Sequence, residues 1–318
     1  MKCIIQIPCF NEAETLAVAL AALPRALPGV DVVEWLVIDD GSEDATVAVA
    51  KANGVHHVVS HRKNLGLAHA FMTGMAACLE RGADIIVNTD ADNQYDAACI
   101  PDLIAPILDG KAEIVVGARP IDDIEHFSPI KKMLQKLGSW TVRVASNTDI
   151  PDAPSGFRAI SRDAAMRLNV YNEYTYTLET IIQAGQKDIP ITWVPIRTNA
   201  DLRPSRLVKS ISSYVRRSIL TILRISVVYK PFKFFAGIGC VLFGLGALLG
   251  VRFLAYYLTG GGDGKIQSLI LAAILILMGF QTIIGAFLAD LLSVNRRLLE
   301  EMQYRGRQKR FGKGDREE

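Results

Sequence analysis

The stretch Asp84-Ile85-Ile86-Val87-Asn88-Thr89-Asp90-Ala91-Asp92-Asn93-Gln94-Tyr95 places two carboxylates directly after a β-branched, apolar run. Such a run predicts a buried strand, and the two acids then lie where that strand ends. Carboxylate oxygens suit Mg²⁺ or Mn²⁺, which commonly complete their ligand shell with substrate phosphates. The alternative interpretation is a turn with solvated charges, so the rest of the chain has to decide between them.

Up to about residue 200, short β-rich runs alternate with helical patterns. The predicted strands are Cys3–Ile7, Val32–Asp39, Val55–Ser60, Asp84–Asp90 and Glu113–Gly117. The predicted helices are Thr15–Ala22, Ala45–Asn53, Gly66–Glu80 and Ile100–Asp109. This alternation predicts an α/β, Rossmann-like fold with a mostly parallel sheet and helices on both faces.

Polar clusters follow four of these strands at the same end. They are Pro8–Glu12, Asp39–Ser42, Asp90–Tyr95 and Gly117–Arg119. Ligands of open α/β sheets bind outside the carboxyl ends of the strands. The sequence therefore predicts one binding cleft, which favours the metal interpretation of Asp90 and Asp92.

The composition indicates two kinds of segment in one chain. The 318 residues are 50% hydrophobic and 21% charged, with a net charge of +2 and a mean hydropathy of +0.23. These values are too apolar for a purely soluble protein and too polar for one that lies wholly in a membrane. The five cysteines are odd in number and form no C-x-x-C pair, which indicates free thiols in a reducing compartment. The first residues lack a signal-peptide pattern, so we expect the large domain in the cytoplasm.

The last third of the chain predicts a membrane module. Residues 207–230 have the pattern of a basic amphipathic helix at a membrane interface, although an ordinary surface helix fits too. Residues 232–258 and 266–292 are each long enough to span a bilayer, and Gly246-x-x-x-Gly250 offers a site where the two spans pack. Basic residues flank the outer ends of the pair, so we expect a multi-pass cell-membrane protein with both termini cytoplasmic. The predicted division is a domain over 1–206, a juxtamembrane helix over 207–230, spans within 231–292 and a basic tail over 293–318.

Five motifs in this order resemble family 2 glycosyltransferases of the GT-A fold. They are Pro8-Cys9-Phe10-Asn11-Glu12, Ile38-Asp39-Asp40-Gly41-Ser42, Asp90-x-Asp92, Gly117-Ala118-Arg119 and Ser155-Gly156-Phe157-Arg158. The resemblance extends over nearly the whole chain and is greatest to the polyprenyl-phosphate sugar synthases. That group includes dolichyl-phosphate mannose synthases and bacterial relatives with two C-terminal spans.

The resemblance implies a role for each matching residue. Donor binding would involve Pro8, Phe10, Glu12, Ile38, Asp40, Asp90 and Ala91, and the metal site Asp90, Asp92 and Gln94. Asp92 would also be catalytic. Phosphate would be bound by Arg119, Arg203 and Arg206. The acceptor or the sugar would be positioned by Asp152 and Glu179. The Arg203–Arg206 loop departs from the mannose-synthase pattern, and membrane-surface charge is the alternative for both arginines. Asp152 and Glu179 fit a purely structural role equally well.

The implied activity is an inverting, metal-dependent transfer of a single hexose, with Mg²⁺ or Mn²⁺ as cofactor. The donor would be a nucleotide-diphosphate sugar of the GDP-mannose or UDP-glucose class. The acceptor would be undecaprenyl or dolichyl phosphate at the cytoplasmic membrane face. A lipid phosphate is already ionised, so no strong general base is needed. A processive polysaccharide synthase and a non-catalytic nucleotide-sugar-binding scaffold are the alternatives. Nucleic acid is not an expected partner, and homo-oligomerisation stays open.

Overall fold

A computed structural model of the chain describes residues 1–120, 138–140, 142–143, 146–170, 176–200, 227, 231–259 and 266–312. The chain divides into two compact units. The first, here called the sheet unit, comprises Met1–Ser218 and Gln303–Glu318. The second, the hairpin unit, comprises Ile219–Met302. The predicted amphipathic helix over residues 207–230 lies outside the described residues, apart from Val227, as do Arg203 and Arg206.

The sheet unit contains a seven-stranded sheet in the order β3-β2-β1-β4-β6-β5-β7. The strands are β1 (Lys2–Cys9), β2 (Val32–Asp39), β3 (His57–Ser60), β4 (Ile85–Asn88), β5 (Ile114–Ala118), β6 (Arg158–Ser161) and β7 (Ile191–Pro195). Only β6 is antiparallel to its neighbours β4 and β5 in this sheet. The predicted mostly parallel sheet is therefore confirmed.

Helices cover both faces of the sheet. They are α1 (Leu16–Ala22), α2 (Thr46–Ala52), α3 (Leu67–Glu80), α4 (Ile100–Leu108), α5 (Arg162–Arg167) and α6 (Thr177–Gln186). One apolar cluster joins residues of α1, α2 and α4 to the sheet, and a second joins residues of α3, α5 and α6. Because side chains alternate along a strand, Ile5 and Ile7 lie in the first cluster and Ile4 in the second. Burial on both faces explains why these strands read as continuous apolar runs.

The sequence prediction did not include β6 and β7. The four residues of β6 begin with Arg158, a charged residue that normally argues against a buried strand. In the sheet, Arg158 pairs with Asn88 of β4 and with Val116 of β5. Because β6 runs antiparallel, its first residue lies at the edge where β4 and β5 end. The segment that precedes Arg158 is thereby brought to the predicted cleft.

Two long apolar helices follow, α7 (Pro231–Leu258) and α8 (Ile266–Phe311). The hairpin unit contains all of α7 and the part of α8 up to Met302. Both are long and apolar enough to cross a membrane. A Cβ on Gly246 would lie 2.8 Å from backbone and side-chain atoms of Ile276, whereas one on Gly250 would meet no described atom within 4 Å. Gly239 likewise approaches Gly279, so the helices pack through Gly239 and Gly246 and not through Gly250.

The predicted basic tail is helical as far as Phe311, because α8 continues beyond residue 292. Its last turns, from Gln303 onward, belong to the sheet unit. There the Tyr304 hydroxyl donates to Asp163 at 2.8 Å, and Arg307 donates to the carbonyl of Leu168 at 2.8 Å. The C-terminal end of α8 therefore packs beside α5.

Candidate active site

The loops that follow β1 and β2 are tied together by hydrogen bonds. The Asn11 amide donates to the Ser42 hydroxyl at 2.9 Å, and the Glu12 amide donates to the Thr46 hydroxyl at 2.9 Å. Asn11 adopts a left-handed conformation with φ of 55°, and its side-chain oxygen accepts from the Glu43 amide at 2.9 Å. These bonds fix the segment that carries the predicted donor residues, of which Phe10 is 38% exposed.

Asp40 and Ile38 of the predicted donor site are buried. The Asp40 carboxylate accepts from the Leu65 and Gly66 amides at 2.9 and 2.8 Å and lies 2.7 Å from Nδ1 of His61. Asp40 therefore shapes the cleft by holding the 61–66 loop, and a direct contact with the donor stays a prediction. Ile38 is wholly buried in the second apolar cluster, and its predicted contact with the donor stays a prediction.

The neighbouring Gly41 is required by this arrangement. Its φ is +75°, and a Cβ there would lie 2.6 Å from the carbonyl carbon of Lys63. Only glycine permits both the left-handed conformation and this approach of the 61–66 loop.

The loop after β4 carries the two predicted metal carboxylates. Burial, together with the nearby charge of Asp92, raises the pKa of Asp90 to about 7. The Gln94 amide donates to Asp92 at 3.2 Å. Asn199, beyond the end of β7, clamps this loop by donating from its side chain to the carbonyl of Asn93 at 2.9 Å and from its amide to that of Gln94 at 2.9 Å. Sequence reasoning missed this clamp because nothing near Asn199 marks it.

The donor set of this loop fits a divalent ion held jointly with a substrate diphosphate. Within the described ranges, no group of three or more His, Cys, Asp or Glu side chains is placed to hold a metal alone. After burial, the charge of Asp92 is the next cause of the raised pKa of Asp90, and a cation would relieve that repulsion. Mg²⁺ and Mn²⁺ commonly take one or two protein carboxylates and complete the shell with phosphate oxygens and water.

Arg119, which follows β5, forms a bidentate ion pair with Asp152. Its Nε and Nη2 donate to the two carboxylate oxygens at 2.7 and 3.0 Å, and its backbone amide donates at 3.2 Å. The Asp152 side chain is 1% exposed and that of Arg119 15% exposed. Although burial opposes the charge, Tyr95 and Asp152 raise the pKa of Arg119 above its ordinary value. Asp152 thus orients Arg119, whose Nη1 makes no hydrogen bond to any residue in the described part of the chain.

Arg158 organises the segment between Asp152 and β6. Its guanidinium is wholly buried and donates to the carbonyls of Ser155 and Ala153, each at 2.9 Å, and to the Thr180 hydroxyl. Burial lowers the pKa of Arg158 to about 10. Glu179 precedes Thr180 on α6 and is 8% exposed, so it lies one residue from this network. Its predicted role in positioning acceptor or sugar stays a prediction.

Comparison with known proteins identifies the family. Residues 4–168, more than half of the chain, match the model of glycosyl transferase family 2. The chain belongs to this family. It is 30% identical to the undecaprenyl-phosphate mannosyltransferase of Micrococcus luteus over 209 residues, which cover 61% of this chain and 84% of the relative. It is 25% identical to the polyprenol monophosphomannose synthase of Mycolicibacterium smegmatis over 65% of this chain and 81% of the relative.

The fold of this glycosyltransferase is similar to that of glucosyl-3-phosphoglycerate synthase from Mycobacterium tuberculosis, crystallised with Mn²⁺, UDP and phosphoglyceric acid. The TM-score is 0.54 at 21% identity, covering 70% of this chain and 78% of the synthase. The predicted GT-A fold and glycosyltransferase class are thereby confirmed. The individual roles of the site residues stay predictions.

Proposed function

We propose that this glycosyltransferase moves a single hexose from a nucleotide-diphosphate sugar to a polyprenyl phosphate at a membrane surface. The observation that carries the proposal is that one chain contains both a polar site at the edge of its sheet and two helices long enough to span a membrane. The Asp90–Asp92 loop and the anchored Arg119 meet at one edge of the sheet, and two span-length helices follow in the sequence. A water-soluble donor and a lipid acceptor can meet only at the surface of the membrane. The relatives named for undecaprenyl-phosphate and polyprenol phosphate support the acceptor class.

In the proposed reaction, an oxygen of the acceptor phosphate forms a bond to the anomeric carbon of the sugar. The bond from that carbon to the donor diphosphate breaks, and its electron pair leaves with the nucleoside diphosphate. An in-line displacement of this kind inverts the anomeric configuration. The acceptor is already ionised, so the protein has no proton to remove from the nucleophile.

The side chains of the site then have two tasks. Asp90 and Asp92 would hold Mg²⁺ or Mn²⁺ together with the donor diphosphate, and the ion would supply Lewis-acid stabilisation of the leaving group. Arg119, oriented by Asp152, binds a phosphate group and offsets the repulsion between two anions. Arg203 and Arg206 are proposed to do the same for the lipid phosphate. Manganese in the related crystal structures supports a divalent ion.

For the membrane, we propose two spans with the catalytic domain and both termini on the cytoplasmic side. The basic residues before α7 and after the apolar part of α8 support this orientation. A cysteine introduced at Gly262, between the spans, should then react with a membrane-impermeant maleimide from outside intact cells. Protection of that cysteine, with reaction of one placed near the N-terminus, would reverse the orientation.

A donor panel tests the activity. Full-length protein in detergent is incubated with a short polyprenyl phosphate, Mg²⁺ or Mn²⁺, and in turn UDP-glucose, GDP-mannose and UDP-N-acetylglucosamine. We expect mass spectrometry to detect a lipid-linked sugar from one donor, and none after the metal is chelated. Folded protein that forms no such lipid from any donor would refute the proposal.

A further inference from the structure

The peptide of Gly156 is held at both of its polar groups by buried side chains. Its N–H donates to the Tyr95 hydroxyl at 2.9 Å. Its carbonyl accepts from the Asn88 side-chain amide at 2.9 Å and from the Tyr176 hydroxyl at 3.3 Å. Tyr95, Asn88 and Tyr176 are here called the Gly156 cradle. A loop peptide held this way has little freedom to move.

Two side chains of the cradle, those of Asn88 and Tyr176, are held in place by other residues of the core. The Gln6 side chain on β1 donates to the Asn88 oxygen on β4 at 2.9 Å, and both residues are wholly buried. The Tyr176 ring stacks on Phe71 at 3.9 Å between centroids. Polar groups buried in an apolar core are costly unless they are hydrogen-bonded, and a fully bonded network becomes rigid. The core therefore accommodates a polar network that ends at Gly156.

The cradle places the α-carbon of Gly156 against the carboxylate of Asp90. A Cβ on Gly156 would lie 3.3 Å from each Asp90 carboxylate oxygen and 2.8 Å from the Tyr176 hydroxyl. The Tyr176 ring has no room to withdraw, because it is stacked on Phe71 and bonded to Asn88. Any side chain at position 156 therefore displaces the Asp90 carboxylate.

Tyr95 also connects two loops of the site. It belongs to the loop that carries Asp90, and it binds the loop that begins with Asp152. Its ring stacks on Phe157 at 5.1 Å, which keeps the hydroxyl beside the Gly156 amide. The hydrogen bond from Gly156 to Tyr95 thus links the loop with the carboxylates proposed for the metal to the segment that begins with Asp152.

We propose that Gly156 and Tyr95 are positioning residues that set the Asp90 carboxylate for a divalent cation bound with a nucleoside diphosphate. This inference rests on the proposed function, because it assigns the cradle to the same metal site. Groups that orient a metal ligand typically change metal affinity by roughly 10–100-fold when they are altered. The cradle should therefore affect cation binding directly, in the absence of any sugar transfer.

The test measures Mn²⁺ binding by electron paramagnetic resonance on full-length protein in detergent, with UDP and with GDP. Gly156→Ala is compared with Gly138→Ala, because a Cβ added at Gly138 would meet no atom of the described residues within 4 Å. We expect Gly156→Ala to weaken Mn²⁺ binding at least about 10-fold and Gly138→Ala to bind as the wild type does. Tyr95→Phe adds no atoms and removes only the acceptor for the Gly156 amide. It should weaken binding in the same direction.

The possible outcomes separate the two proposals. Unchanged Mn²⁺ affinity in folded Gly156→Ala overturns the cradle inference and leaves the proposed function standing. Wild-type protein that binds no Mn²⁺ with either nucleotide overturns the metal site itself. If Gly156→Ala does not fold, Tyr95→Phe decides: wild-type affinity there overturns the inference, and weakened affinity with a normal melting profile supports it.

Discussion

Replacing Asp152 by alanine should destabilise the sheet unit and release Arg119. Among the described residues, Arg119 donates hydrogen bonds to the Asp152 carboxylate at 2.7, 3.0 and 3.2 Å. With the Asp152 side chain 1% exposed and that of Arg119 15% exposed, water cannot replace most of these bonds. The variant leaves a guanidinium and a backbone amide without their partner.

The expected loss of stability follows from this burial. Breaking a buried ion pair by removing one partner costs about 3–5 kcal/mol, whereas an exposed pair contributes about 1 kcal/mol or less. Arg119→Ala should cost a comparable amount, because it leaves the Asp152 charge buried. The double variant should lose less than the sum of the two, with a coupling energy of about 1–3 kcal/mol.

Urea unfolding followed by tryptophan fluorescence measures these values on the full-length protein in detergent. The three tryptophans, Trp35, Trp140 and Trp193, all lie in the sheet unit, so the signal reports this unit alone. The matched control is the pair Lys111–Asp109, which has the same close contact at 2.8 Å but side chains 74% and 54% exposed. Its coupling energy should stay below about 0.5 kcal/mol.

An Asp152–Arg119 coupling energy no larger than that of the exposed control pair would show that burial does not strengthen this ion pair. A second measurement addresses function. In Asp152→Ala the unanchored Arg119 should lower the rate of sugar transfer by about 100-fold, as misplaced catalytic groups commonly do. Full activity in a destabilised but folded variant would show that Asp152 is structural only.

Three further predictions concern other parts of the chain. Asp92→Asn should nearly abolish sugar transfer while the melting temperature is preserved. The control Asp109→Asn should leave transfer unchanged. Comparable transfer rates in the two variants would exclude Asp92 as a metal ligand. In metal-free protein, the pKa of Asp90 near 7 exceeds that of an unfolded aspartate, about 3.9, so its contribution to stability is lost as pH rises from about 4 to 7. In EDTA, the melting temperature should therefore fall more steeply with rising pH in wild type than in Asp90→Asn. Parallel curves of melting temperature against pH would contradict the raised pKa of Asp90. Gly246→Leu should disrupt packing of α7 on α8 and lower the melting temperature in detergent, while Gly250→Leu should not, and equal effects would count against this helix contact.

Much of the fold was predictable because its signals are local. The apolar runs of β1, β2 and β4 and the helical patterns between them identify an α/β sheet within short windows of sequence. Polar residues directly after the strands identify the cleft, because parallel strands end at one edge. The two span-length helices follow from length and composition alone. The loop with Asp90 and Asp92, which is proposed to bind the metal, was located in the same way.

Other features depended on residues far apart in the sequence. Arg158 argued against a strand until its buried hydrogen-bond partners were known, so the antiparallel β6 was missed. The role of Asp40 in holding the 61–66 loop could not be predicted either, because Leu65 and Gly66 lie some 25 positions away. The bond from Gly156 to Tyr95 joins residues 61 positions apart, and no periodicity or local motif encodes such a contact.

The sequence by itself determined the class of protein, the alternating strands and helices of the first 120 residues, the carboxylates at the strand ends and the two span-length helices. These follow from hydrophobic periodicity and residue chemistry, which act over a few neighbouring positions. The tertiary structure alone decided which polar groups face each other: Asp152 with Arg119, and the Gly156 cradle with Asp90. The physical reason is that a buried charge or amide has to find its partner wherever packing brings one, and packing is a property of the whole sheet.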